Sequence, residues 1–225
     1  MKKEKGIYKH NENRWEARFK VGVNEQGRAI YKSVYAKTKE DVIEKKRLFL
    51  GEPIDSDDMS TEMNLLILGA GTHGRDVYEI ASSLHLFKSI KYLDDHETGP
   101  LIIDTCKNAF KHRAEYSCIF VAIGDNKIRK KYATMLKEYR FLMPSIVSPM
   151  ANISPNAEIG AGVAILPMAR IGDAKIGDFS IVASNGLVNS DSELGAYSHV
   201  DSGAIVKKDA KVPEGTWIRS GVIYE

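Results

Sequence analysis

Cysteine is nearly absent: Cys106 and Cys118 are the only two in 225 residues, and neither has the paired spacing of a metal site. That argues against a zinc-built fold or a disulfide framework and fits a reducing cytoplasm. No apolar run approaches the roughly 20 residues needed to cross a bilayer, so no membrane partner is expected. The opening MKKEKGIYKHNENRW is basic with no apolar segment behind it, which is not a signal-peptide pattern. Net charge is also small, at +2, but the total hides an asymmetry. Residues 1–50 hold 14 Lys and Arg against 7 Asp and Glu, and the remainder carries −5. A basic head on a mildly acidic body suggests two modules with different partners; a solvated basic surface is the plain alternative.

Four segments can be distinguished. Residues 1–50 read as three short strands and a helix. RWEARFKVGV alternates, with Trp15, Ala17, Phe19, Val21 and Val23 on one face and Arg14, Glu16, Arg18 and Lys20 on the other. NEQG is a turn, RAIYKSVY the next strand, and TKED opens a helix with Thr38 as N-cap running to about Leu50. Residues 51–62, GEPIDSDDMSTE, are an acidic linker. Residues 63–145 alternate strand and helix: NLLILG, RDVYEIASSLHLF, IKYLD, CIFVAIG and KIRKKYATMLKEY. Parallel βαβ units of Rossmann-like type account for them.

From residue 146 to 225 the period becomes six. Val147, Ile153, Ile159, Ile165 and Ile171 are followed, after a one-residue slip, by Ile176, Val182, Val188, Leu194, Val200, Val206, Val212 and Ile218. Neither a 3.6 nor a 2.0 period gives this pattern. It predicts a parallel β-helix of triangular section, three hexapeptides per coil, with the aliphatic residues inside. The fold class is therefore α/β plus all-β.

GAGTHG, residues 69–74, is G-x-G-x-x-G between a strand and a helix, a pattern that lets a phosphate approach backbone at a helix N-terminus. Gly69, Gly71, His73 and Gly74 are candidate ligand residues, with Asp94 ending the second strand in position to meet a ribose hydroxyl. A purely structural Gly-rich turn is the alternative. AIGDNKIR ends another strand, so Asp125, Asn126 and Arg129 are candidates at the sheet's carboxyl edge; an Asp-Asn turn is equally compatible.

A Gly-rich nucleotide-binding half joined to a hexapeptide β-helix resembles the sialic acid O-acetyltransferase and bacillosamine N-acetyltransferase family. LGAGTHGRDV, YLDD, AIGDN and LGAYSHV carry the resemblance over roughly residues 63–225. It implies a left-handed β-helix, a homotrimer, and acetyl-CoA as co-substrate without a metal. It also implies acetyl transfer to an amine or hydroxyl of a nucleotide-linked or acidic sugar, with the nucleotide sugar bound at Gly71, His73, Asp94 and Asp95. Family members carry His-Asp or His-Glu ahead of a second histidine. Here Ser190 and Asp191 hold those places and His199 is the second histidine. The orienting acid is kept and the base is replaced, and an unassisted serine has no useful basicity near pH 7. The family also continues for further coils that hold CoA, whereas this sequence ends at WIRSGVIYE. An impaired or inactive transferase is the expectation.

Residues 6–47 resemble the N-terminal AP2-like arm-binding domain of phage and transposon integrases. That resemblance implies binding to double-stranded DNA, with Arg14, Arg18, Lys20 and Lys32 as contacts; a vestigial fusion or a protein contact is the alternative. The rival to the transferase reading is thus a DNA-binding regulator that senses a nucleotide sugar through a degenerate enzyme body. An NAD-dependent oxidoreductase is permitted by the glycine motif alone, but a β-helix offers no obvious site for a hydride acceptor.

Overall fold

The alternation in RWEARFKVGV is realised as a strand, β2 (Arg14–Val23), between β1 (Ile7–Asn11) and β3 (Ala29–Ala36) in an antiparallel sheet. The computed structural model describes residues 6–11, 14–23, 28–39, 42–43 and 63–225. Two compact units divide the chain, Met1–Ser60 and Thr61–Glu225. In the first, Ala17 and Val42 are fully buried, with Ile7, Trp15, Val34 and Ala36 packed around them. Lys39, Val42 and Ile43 are helical, and the Thr38 carbonyl accepts the Val42 N–H at 3.3 Å. The rest of the expected helix, the NEQG turn and the 51–62 linker lie outside the described residues.

The second unit begins with β4 (Met63–Leu68), whose residues Leu65 to Leu68 are all at 0% exposure. A strand with no exposed face must sit inside a covered parallel sheet. The elements α1 (Thr72–Ser83), β5 (Phe87–Leu93), β6 (Ile102–Asp104), a 3-10 helix (Cys106–His112), β7 (Cys118–Val121) and α2 (Asn126–Lys137) follow. The sheet order is β6-β5-β4-β7, all parallel. The chain enters α1 three residues earlier than RDVYEIASSLHLF suggested and leaves it earlier too. Leu84 caps α1, His85 takes a left-handed φ of 54°, and Phe87 already belongs to β5. Short β6 and the 3-10 helix had no counterpart in the sequence reading.

The hexapeptide period folds as fourteen two-residue strands, from β8 (Ile146–Val147) to β21 (Ile223–Tyr224), in three parallel sheets. They form a left-handed β-helix. The thirteen aliphatic residues of the repeat line its core, and Tyr224 adds a fourteenth inward position. From Gly162 onward the vertices are built from left-handed residues: Gly162, Met168, Phe179, Asn185, Asp191, Tyr197, Gly203, Asp209, Gly215 and Gly221. Gly162 is obligatory on two counts, its φ of +64° and the Phe179 ring only 2.5 Å from where a Cβ would stand. One vertex breaks the series. At Gly172–Asp173–Ala174 the left-handed residue is missing, and Ala174 N–H closes a three-residue turn on the Gly172 carbonyl at 2.8 Å. That is the one-residue slip in the sequence.

Candidate functional site

One face of the β-helix presents an outward column, in register from coil to coil: Ile146, Ala164, Ile181, His199 and Trp217. The first three are buried in the same cluster as Leu65, Ile67, Val77 and Phe120 of the parallel-sheet layer. Burying the two isoleucines contributes roughly 1.5–3 kcal/mol each, which fixes the two layers together. Past Ile181 that cover ends, and the column turns polar at His199.

His73, in the first turn of α1, meets His199 there. Burial, the neighbouring His199 and the Arg129 guanidinium push the His73 pKa down to about 3. Burial and Arg129 push His199 down to about 4, against the favourable influence of Asp201 and the Gly124 backbone. Both rings are therefore neutral at pH 7. His73 Nε2 and His199 Nδ1 are buried and lack a hydrogen-bond partner among the described residues. Leaving such an atom unpaired costs roughly 1–3 kcal/mol, so two in one place mark a ligand site more readily than a packing accident.

A frame of side chains holds His199. The Trp217 ring stacks on it with centroids 5.0 Å apart and planes at 12°, and the Arg219 guanidinium lies 4.0 Å from the indole centroid. Burial works against the Asp201 carboxylate. Hydrogen bonds from the Ser202 N–H, Ser220 and Trp217, with the His199 charge, still bring its pKa below the usual value. Asp201, Trp217 and Arg219 escaped the sequence reading. The signal was present, because one coil spans 18 residues and Trp217 follows His199 by that distance.

The glycine loop sits beside this pair of histidines. Gly69 has φ +106°, and a Cβ on Gly74 would fall 2.0 Å from the Gly69 oxygen, so both positions demand glycine. Gly71 is the N-cap of α1 and makes no side-chain cap, nor does the first turn carry an acid. The first N–H groups of α1 are thus left without a side-chain acceptor at the cap. A Cβ on Gly71 would meet nothing within 4 Å. Next to the loop, Arg75, Tyr78 and Tyr92 with residues 97–102 line a cleft of about 440 Å³.

The acids assigned to a ligand have other partners in this structure. Asp94 accepts Ala70 N–H at 2.7 Å and the His96 and Glu97 amides at 2.8 Å each. Asp95 accepts Cys106 N–H at 3.0 Å and the Tyr132 hydroxyl at 3.2 Å. Asp125 caps α2 by accepting Ile128 N–H at 2.8 Å. Asn126 donates to the Gly215 carbonyl at 3.0 Å, across to the β-helix. Arg129 is 1% exposed, and burial lowers its pKa to about 10 while Asp125 supports its charge. The first two acids brace the glycine loop and β5; the 125–129 group joins α2 to the β-helix.

Ser190 and Asp191 lie at the vertex between the Leu187 and Glu193 strands, and the His199 face is opposite that vertex across the triangle. Within one chain they do not meet His199. Ser190 Oγ accepts the Asp173 N–H at 3.1 Å, on the shortened vertex one coil below. Asp173 in turn accepts from the Ser154 hydroxyl and from Asn156 Nδ2. Asp191, at φ 60°, pairs with Lys208 at 3.3 Å.

In the N-terminal unit, the Arg14 guanidinium lies 4.8 Å from the Tyr35 ring and that of Arg18 lies 5.2 Å from Tyr31. Lys20 is paired with Tyr31, on the row of Arg18. In the β2–β3 register Lys32 pairs with Phe19 and Arg18 with Ser33. Among the described residues no cluster of three or more metal-ligand side chains occurs, and no helix is long and apolar enough to cross a membrane.

Residues 64–136 match the family model described as the PglD N-terminal domain. The chain is similar to the acetyltransferase domain of PglB from Neisseria gonorrhoeae FA1090, solved in complex with acetyl coenzyme A. Identity is 25%, over 72% of this chain and 93% of that one, with a TM-score of 0.62. PerB from Caulobacter crescentus, solved with CoA and GDP-perosamine, shares the fold at 23% identity, over 72% and 91% of the two chains, with a TM-score of 0.57.

Proposed function

We propose that residues 63–225 bind a nucleotide-linked sugar and acetyl-CoA, and that acetyl transfer between them is impaired in this chain. The observation that carries the binding half is the uncapped α1 N-terminus beside His73 and its neighbour His199, each with a buried ring nitrogen that has no partner among the described residues. Amide donors and a helix N-terminus suit a diphosphate, and two neutral imidazoles suit sugar hydroxyls. The similarity to a protein solved with acetyl coenzyme A supports that co-substrate.

Transfer forms a bond from the sugar amine or hydroxyl to the acetyl carbon, breaks the thioester C–S bond, and needs an acceptor for the departing proton. Ser190 cannot be that acceptor, since its hydroxyl has no basicity near pH 7 and its oxygen already serves Asp173. His199, at a pKa of about 4, is a weak one.

Calorimetric titration with uridine and cytidine diphosphate sugars tests the binding half. Gly71→Val fills open space without backbone strain, so it should remove binding while the fold persists. Equal affinity in variant and wild type would place the ligand elsewhere.

A homotrimer accompanies this proposal. Ser190 and His199 occupy opposite sides of one prism, so a centre using both needs a second chain, and the exposed Ile223 continues an aliphatic column with Leu187 and Ile205. A monomer by light scattering at micromolar concentration would remove it. A second reading, a nucleotide-sugar-sensing regulator that binds double-stranded DNA through the N-terminal unit, draws on the pairing of Arg14 and Arg18 with exposed tyrosines. No gel shift by the full chain at about 50 mM salt, where phosphate contacts are strong, would exclude it.

A further inference from the structure

We propose that Arg129 is the positioning residue of the His199 imidazole, a planar clamp that pins the strand segment leading into His199 to the Ile123–Gly124 loop that its ring meets. The inference rests on the proposal above in one respect, that His199 is one of the two imidazoles that meet the sugar.

The clamp is complete in its hydrogen bonds. Arg129 Nη1 donates to the Ile123 and Gly124 carbonyls at 2.8 Å each. Nη2 donates to Asn126 Oδ1 at 2.7 Å, to the Tyr197 carbonyl at 2.8 Å and to the Ser198 carbonyl at 3.2 Å. Nε donates to the Phe179 carbonyl at 2.7 Å. Gly124 belongs to the loop after β7, and its backbone also interacts with His199. Ser198 immediately precedes His199 on the β-helix. A single guanidinium therefore ties the loop that interacts with the imidazole to the strand segment that carries it.

Convergence of these carbonyls has a cost of its own. Phe179 and Tyr197 stand at φ 56° and 57°, a region that disfavours side chains with a Cβ by roughly 1–2 kcal/mol per residue. Their rings stack at 5.4 Å and 6°, and their carbonyls both turn to Arg129. Only a five-donor fork can serve so many acceptors; an ammonium has three donors and no plane. The clamp also places a fixed positive charge beside His199, which faces Arg219 and His73 as well, with Asp201 and the Gly124 backbone acting in the opposite sense.

The test is imidazole titration by NMR on the full chain without ligand, so it does not depend on turnover or on sugar binding. In wild type, His199 should stay neutral down to about pH 5, and a midpoint near the ordinary histidine value would overturn the proposal. Arg129→Gln removes charge and fork together, and its His199 midpoint should rise by roughly one unit. An unchanged midpoint would overturn the proposal equally. Arg129→Lys keeps the charge, so the midpoint should stay low while the ring's chemical shifts move as the fork is lost. If Arg129→Gln fails to fold, wild type and Arg129→Lys still decide. Shifts unmoved in Arg129→Lys would show that the fork does not place the ring.

Discussion

The His199 face and the Ser190 vertex are built by the same repeat, yet they differ in what is left unsatisfied. At the face, two imidazoles present buried nitrogens without partners among the described residues, inside a frame of Trp217, Asp201 and Arg129. At the vertex the polar groups serve one another: Ser190 with Asp173, Asp173 with Ser154 and Asn156, Asp191 with Lys208. Unpaired buried polar atoms persist only where something else repays them. By that measure the face is the better candidate for a ligand, and the polar groups of the vertex hold the coil.

The sharpest test of the contrast is Ser190→His. If the vertex has lost only its base, restoring His beside Asp191 should raise acetyl-CoA turnover roughly 10²–10⁴-fold. The obstacle is physical. Ser190 Oγ packs 2.6 Å from where a Cβ on Gly172 would stand, so the site below is tight, and Asp173 loses its acceptor. No gain in a folded, ligand-binding variant would mean that the vertex is now structural. A robust wild-type rate that survives Ser190→Ala would instead move the chemistry to His199.

Acid should separate the two regions next. His73 and His199 have pKa values of about 3 and about 4, below the ordinary 6.5. Between these values and 6.5 the unfolded chain binds more protons than the folded one, so their contribution is full above about 6.5 and is lost as pH falls towards 4. Thermal melts of wild type should drop between pH 7.5 and 5, and His73→Asn with His199→Asn should flatten that slope. A slope unchanged in the double variant would assign the acid sensitivity to other groups. The smallest effect belongs to the vertex itself. Ser190→Ala should cost about 1 kcal/mol, the net worth of one hydrogen bond, with the pH slope as in wild type.

Much of this contrast could be read in the sequence, and the limit has a physical cause. The hexapeptide period gave the core from Val147 to Ile218 and even the slip after Ile171, because each coil repeats one local geometry. Tyr224 escaped because a tyrosine breaks the aliphatic pattern. Asp125, Asn126 and Arg129 were given to a ligand, since the end of a strand says nothing about which vertex of a β-helix will dock there. Their partners Phe179, Tyr197, Ser198 and Gly215 lie 50 to 89 residues away.

The shortened vertex at Gly172–Asp173–Ala174 carries a consequence for how such a protein can change. Glu158 pairs with Lys175 across 17 positions, while Lys175 pairs with Glu193 across 18, yet every later strand keeps its alignment. The β-helix therefore measures phase from the inward aliphatic of each strand, not by counting residues around the coil. A residue lost at a vertex is absorbed locally, whereas one lost within a strand would invert every outward side chain of that edge. Each vertex is a phase-insulated compartment, free to gain or lose length and chemistry while the neighbouring faces stay in step.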